Sequence, residues 1–230
     1  MSKVPLLSVR NLEKRFRKGK AELQILKGVS IDVERSEKVG IVGVSGAGKT
    51  TFLQIIGTLD KPTGGEVFFD GLDVFSLSPP ELALFRRNNV GFVFQSYNLL
   101  PEFNAVENVM LPLMIGGFSR KDAHEKAAHF LTRVGLKERL LHRVGELSGG
   151  EQQRVAISRA IALGPNLILA DEPTGNLDKK TGEMVIDLLK EVVSNEGATL
   201  IMVTHNEQLI ENFDRQLKID DGRVMGDRKN

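Results

Sequence analysis

The stretch Gly43-Val44-Ser45-Gly46-Ala47-Gly48-Lys49-Thr50 constrains the fold more than any other part of this sequence. It stands between Lys38–Gly43, a short apolar run that reads as a buried strand, and a segment from Lys49 to about Thr58 that reads as a helix. Its glycines permit positive φ and close approach of the backbone, so successive N–H groups can point at phosphate oxygens. The helix N-terminus behind them adds a partial positive charge. At this spacing Lys49 reaches the β- and γ-phosphates of a nucleotide, and the Thr50 hydroxyl is placed to ligate Mg2+.

The flanking pattern agrees with an α/β sheet. Leu7–Leu12 and Ile25–Glu34 read as strands, the second alternating Val29, Ile31 and Val33 with polar residues. After a turn at Pro62–Gly65 come strands Glu66–Asp70 and Val90–Phe94. Further on, Leu167–Ala170, Leu200–Val203 and Gln216–Ile219 read as short buried strands, with a helix marked by Met184, Leu188 and Val192 between the first two. Strands alternating with helices predict a mostly parallel sheet. From about Tyr97 to Gly164 the pattern is mostly helical and reads as an insertion into that core. There Ser119 and Asp122 fit a capping box, and Ala123, Ala127, Phe130, Leu131 and Val134 recur on one helical face.

Composition removes several function classes. With 31 Lys+Arg against 30 Asp+Glu there is no basic excess to neutralise phosphates, so no nucleic-acid partner is expected. Cysteine is absent, which excludes disulfides, thiolate catalysis and cysteine zinc sites. His124 and His129 lie off the i, i+4 spacing that would put two metal ligands on one helix face. The opening residues carry no apolar stretch of signal-peptide length, and the best apolar run, around Ile161–Ala170, is broken by Gly164, Pro165 and Asn166. The expectation is a chain without a membrane span, in the cytoplasm.

Two more segments carry chemistry. Leu167–Glu172 delivers two acids at the carboxyl end of a buried strand, where ligands sit in open α/β sheets. Asp171 suits the magnesium ion, directly or through water, while Glu172 points elsewhere and suits a base that activates water. Leu147–Arg154 contains Ser148-Gly149-Gly150 before a helix, a hydroxyl and unobstructed N–H groups at a positive helix end. A plain helix cap by Ser148 and Glu151 accounts for the same residues equally well. A second phosphate-binding turn makes sense if two copies of the chain share their nucleotides.

With these segments in this order, the sequence resembles the ATP-binding subunit of ABC transporters across nearly its whole length. Leu147–Arg154 matches the family's signature. The resemblance implies one ATP-binding domain over residues 1–230. It implies a RecA-like P-loop NTPase core at about 1–96 and 164–230, an N-terminal antiparallel β subdomain, and an inserted α-helical subdomain at about 97–163. It makes Val44, Ser45, Ala47 and Thr51 part of the ATP-binding loop with Gly43, Gly46, Gly48, Lys49 and Thr50. Phe16 stands where an aromatic stacks on adenine, and Gln95 where a glutamine contacts Mg2+ and faces the membrane partner. His205 matches the switch histidine at the γ-phosphate, and Asp178, in the loop Gly175–Asp178, matches the communication between two sites. Ser148, Gly149, Gly150 and Glu151 would act in trans, on ATP held by a second copy.

Within the family, Tyr97–Gly116, Gln216–Arg223 and a short Gly19–Leu23 insertion are similar to the ATPases of lipoprotein-releasing systems. That implies two integral membrane subunits of the LolC and LolE type, a peripheral place on the cytoplasmic face of the bacterial inner membrane, and contact with the membrane only through them. The work would be release of lipoproteins toward the outer membrane. The alternatives within the same group are a MacB-type efflux ATPase and an FtsE-like regulator of cell-wall hydrolysis.

Overall fold

The computed structural model describes residues 4–19 and 21–230. The leader reading of the first three residues, and Lys20 within the Gly19–Leu23 insertion, lie outside them. In chain order the elements are β1 (Leu7–Lys18), β2 (Ala21–Val33), β3 (Lys38–Val42), α1 (Lys49–Ile56), β4 (Gly64–Phe69), β5 (Leu72–Asp73), α2 (Pro79–Asn89) and β6 (Val90–Phe94). There follow α3 (Ala105–Ile115), α4 (Arg120–Arg133), α5 (Gly149–Ile161), β7 (Leu167–Asp171), α6 (Lys179–Asn195), β8 (Thr199–Thr204), β9 (Arg215–Asp220) and β10 (Arg223–Lys229). They form two compact units, Met1–Arg86 with Thr199–Asn230, and Arg87–Ala198.

The first unit holds an antiparallel sheet in the order β2-β1-β4-β5. Leu7, Val9 and Leu12 of β1 pack with Leu26, Val29, Ile31 and Val33 of β2, all buried, because alternate residues face one side of a sheet. A second sheet runs β10-β9-β3-β8, in which β3 is parallel to both β8 and β9. Four of the five residues of β3 are buried, as expected of a strand flanked on both edges and covered by other elements. Helix α1 buries Phe52, Leu53, Ile55 and Ile56 and packs against β2 and β8.

The guanidinium of Arg215 fastens this unit. It donates to Asp227 at 2.6 and 2.5 Å and to the Asp32 carbonyl at 2.6 Å, and pairs with Glu37 at 3.6 Å. Arg215 holds the Asp227 carboxyl below its usual pKa, and Asp227 in turn raises that of Arg215. Truncating Arg215 leaves the half-buried Glu37 carboxylate without its cation and breaks the bonds to Asp227 and Asp32, so Arg215→Ala is expected to cost about 3 kcal/mol, which lowers the melting temperature by about 6–12 °C. Calorimetry of parent and variant at neutral pH checks this.

In the second unit β6 and β7 pair in parallel, and α5 packs on β6, α3, α4 and α6. Helix α3 starts at a capping box, in which the Asn104 side chain accepts from the Glu107 N–H and Glu107 accepts from the Asn104 N–H. Ser119 caps α4 through the Asp122 N–H, and Ala123, Ala127, Phe130, Leu131 and Val134 are buried, the face expected from sequence.

Other expectations need correction. The first two strands run farther than Leu7–Leu12 and Ile25–Glu34 suggest, to Lys18 and back to Ala21, because they form a long hairpin whose outer half is charged. In α6 the buried face is Val185, Ile186, Leu189 and Val192, while Met184 is 60% exposed. Adjacent apolar pairs at 185–186 and 188–189 fit two helical faces, and the N-cap at Asp178 sets which one turns inward. Helix α2 and strand β10 carry no apolar periodicity: α2 buries only Leu82, and no residue of β10 is buried.

Candidate functional site

In the first unit β3 ends at Val42 and the backbone turns into Gly43, where a Cβ would lie 2.1 Å from the Ile219 carbonyl. Only glycine lets the loop pass there. Gly48, the N-cap of α1, has φ +99°, a conformation that costs an L-residue strain. The two positions together bend Val44–Ala47 into a loop whose end opens directly onto the helix N-terminus. Lys49, only 7% exposed, folds back over this loop and donates to the carbonyls of Gly43 at 2.7 Å and Val44 at 3.1 Å. The ammonium is therefore held at the loop centre. Val44, Ser45, Gly46 and Thr50 are exposed, and Thr51 is half-buried.

The loop is braced from the far end of the chain. The Gly222 N–H donates to the Ala47 carbonyl at 3.2 Å, and the Gly222 carbonyl accepts from the Lys27 N–H at 2.9 Å. Gly222 has φ +72°, and a Cβ there would meet the Ile25 carbonyl at 2.2 Å. His205 follows β8 directly and is exposed. The next residue, Asn206, is fixed by the Thr204 hydroxyl at 3.1 Å. Phe16 on β1 is 44% exposed, with the Lys14 ammonium 4.9 Å from its ring centroid. Lys14 is itself buried and anchored to the Lys61 carbonyl at 2.7 Å and to Asp60 at 2.7 Å. Sequence reasoning missed this support, which gives Phe16 a fixed face.

The second unit carries the other candidates. Asp171 ends β7, and Glu172 beyond it has φ +46°, an uncommon conformation for glutamate that takes it out of the strand alternation. Gln95 lies just past β6 and is exposed. Its Nε2 donates to Asn176 Oδ1 at 3.3 Å, and its backbone carbonyl accepts from Asn176 Nδ2 at 2.9 Å. Asn176 thus joins the glutamine loop to the segment after Glu172. Asp178 caps α6, accepting from the Thr181 N–H at 3.1 Å, and bonding to Thr181 draws its pKa down.

Ser148 is the N-cap of α5 within a full capping box. Glu151 accepts from the Ser148 N–H at 2.8 Å and the Ser148 hydroxyl at 2.9 Å, and pairs with Arg139 at 3.0 Å. The Ser148 N–H first, with the Ser148 hydroxyl and Arg139, holds Glu151 at about 2 against burial, which raises it. A carboxylate depressed in the fold lends stability that is complete above its unfolded pKa of 4.5 and fades as pH falls toward 2. Glu151→Gln is expected to cost about 1–2 kcal/mol at pH 7 and to flatten the loss of stability between pH 5 and 2. Melting curves at pH 7 and pH 3 measure both effects.

The cap and the phosphate reading of this turn are compatible: the cap uses the Glu151 N–H, and Gly149 at the head of α5 carries no side chain to cover the helix end. Among the candidate residues, Thr50, Asp171 and Gln95 offer a hydroxyl, a carboxylate and an amide oxygen. These are the hard oxygen donors that Mg2+ takes. Gln95 donates through Nε2, which leaves Oε1 as the atom it could offer to a cation.

Comparison with known proteins agrees with this geometry. The sequence model for the ABC transporter family matches residues 26–175. The lipoprotein-releasing system ATP-binding protein LolD of Geobacter metallireducens is 52% identical over 222 residues, covering 96% of this chain and 99% of that one. LolD of Coxiella burnetii is 46% identical over 228 residues, 99% of this chain and 98% of its own. Among solved structures, the ATP-binding cassette MJ0796 superposes with a TM-score of 0.89 at 41% identity over 97% of this chain, in a dimeric post-hydrolysis state with ADP and Pi. A glycine-rich loop after β3, adjacent acids at the end of β7 and a capped Ser-Gly-Gly turn, on a chain covered to 96% by such a relative, make it a member of the ABC transporter family of ATP-binding proteins.

Proposed function

We propose that this chain is the ATP-hydrolysing subunit of a lipoprotein-releasing transporter, and that it works as a pair of copies bound to two integral membrane subunits of the LolC and LolE type. The observation that carries the reading is the 52% identity with LolD from Geobacter metallireducens over 99% of that protein. Among the described residues no helix is long and apolar enough to cross a membrane, so any membrane contact of these residues runs through partners or along a surface.

The residues divide the work as follows. Phe16 stacks on the adenine, with Lys14 beneath it. Gly43–Thr51 bind the phosphates through backbone N–H groups, and Lys49 transfers its bonds from the loop carbonyls to the β- and γ-phosphates. Thr50, Asp171 and Gln95 hold Mg2+, whose charge offsets that of the phosphates when bound. Glu172 orients water and takes its proton, and His205 meets the γ-phosphate. Ser148, Gly149 and Gly150 of one copy complete the phosphate contacts of the other, with Glu151 holding the Ser148 turn rigid. Binding closes the pair and hydrolysis reopens it. Asp178 links the two sites, and Gln95, tied to Asn176, passes the change toward the membrane subunits at the cytoplasmic face of the inner membrane.

A tagged pull-down from detergent-solubilised native membranes, read by mass spectrometry, tests the transport reading. Two membrane proteins with large periplasmic domains are expected, with acylated lipoproteins that leave on addition of Mg-ATP. A single small membrane partner with a cell-wall hydrolase activator, and no lipoprotein, refutes lipoprotein release and leaves the ATPase standing.

A further inference from the structure

Tyr97 and Asn98 are consecutive non-glycine residues at φ +55° and +50°, two residues after Gln95. A non-glycine residue in the left-handed region is strained, Tyr97 more than Asn98, so the consecutive pair needs an external hold. Arg159 on α5 provides it. Its two terminal nitrogens donate to the Asn98 carbonyl at 2.5 Å and to the Tyr97 carbonyl at 2.7 Å. A planar guanidinium presents two donors at a fixed spacing, which suits two successive carbonyls as an ammonium does not. Burial lowers the pKa of Arg159, the electrostatic cost of placing a charge there.

The held segment touches the rest of the site in this unit. A Cβ on Gly149 would lie 2.9 Å from the Tyr97 hydroxyl and 3.1 Å from Leu177. A Cβ on Gly175 would lie 2.5 Å from the Gln95 amide, which also bonds Asn176. The glutamine loop, the Ser148 turn and the segment after Glu172 are therefore packed without slack. We infer that Arg159 is a positioning residue for hydrolysis: by clamping Tyr97 and Asn98 it fixes Gln95 and the Ser148 turn relative to each other. It acts through these neighbours without touching nucleotide, and the inference rests on the ATPase reading above.

The chain has one tyrosine, Tyr97, and no tryptophan, so tyrosine emission of the whole protein reports on this loop alone. Arg159→Lys keeps the charge and gives up one carbonyl bond. In the full-length protein its kcat for ATP is expected to fall about tenfold, with KM within about twofold of the parent, and acrylamide is expected to quench Tyr97 more strongly. Adding Asn98→Gly, which accepts the left-handed backbone without a clamp, is expected to restore most of kcat. Weakening of α5 alone would not be repaired by a glycine at this exposed loop position. Asn98→Val opposes positive φ with α5 untouched, and is expected to reproduce both the kcat loss and the quenching, even should Arg159→Lys fold poorly. Parent-like kcat and quenching in the two single variants, or a loss that Asn98→Gly leaves unrepaired, overturns the inference while the parent's ATPase stands. A parent that neither binds nor hydrolyses ATP refutes the ATPase reading, and this role with it.

Discussion

Glu172→Gln is expected to lower ATP hydrolysis by about a thousandfold while Mg-ATP binding is retained. The amide has the shape of the carboxylate but cannot take a proton from water. Glu172 is also set apart from its neighbour by backbone: Asp171 completes β7, whereas Glu172 turns out of the strand at φ +46°. On the proposed function the two acids serve separate purposes, and substituting Glu172 leaves Asp171, which would hold Mg2+, in place. With hydrolysis blocked and binding intact, the closed pair accumulates. Size-exclusion chromatography with Mg-ATP should show a dimer for the variant, and phosphate release should show the rate loss. Parental turnover in Glu172→Gln would assign the base elsewhere.

Lys49→Ala should weaken ATP binding by about a hundredfold, the loss of about two charge-assisted hydrogen bonds after discounting for water that enters in their place. The geometry makes the effect large. Lys49 is buried, with its ammonium already fixed between the carbonyls of Gly43 and Val44, so little side-chain entropy is lost when phosphate arrives. Titration calorimetry with ATP reads the change directly. An unchanged dissociation constant would contradict the assignment of the loop.

What sequence could disclose was whatever local spacing encodes. The phosphate loop is legible because Gly43, Gly48 and Lys49 must stand at fixed intervals for the backbone to turn there. The Ser119 cap and the buried face of α4 follow from helical periodicity, and the Ser148 turn from its own three residues. Strand β10 was illegible because an exposed edge needs no apolar pattern, and α2 because Leu82 alone is buried. The contacts that stiffen the site leave no local trace. Arg159 meets Tyr97 across 62 positions of sequence and Arg215 meets Asp32 across 183, and at either end the sequence offers only one more arginine among many. Asn176 was visible as a loop residue, but its two bonds to Gln95 belong to the folded state.

The bond from Gly222 to Ala47 orders events during synthesis. The phosphate loop leaves the ribosome well before the strands that flank β3, because β3, which carries it, lies between β8 and β9, and the turn that braces it follows β9. Until then the loop lacks the neighbours that hold its curve, because parallel pairing must wait for both distant strands. A prematurely terminated chain therefore ends without a formed phosphate cradle. On the proposed function such a chain is expected to gain little stability from ATP, since a ligand stabilises only the fold that binds it.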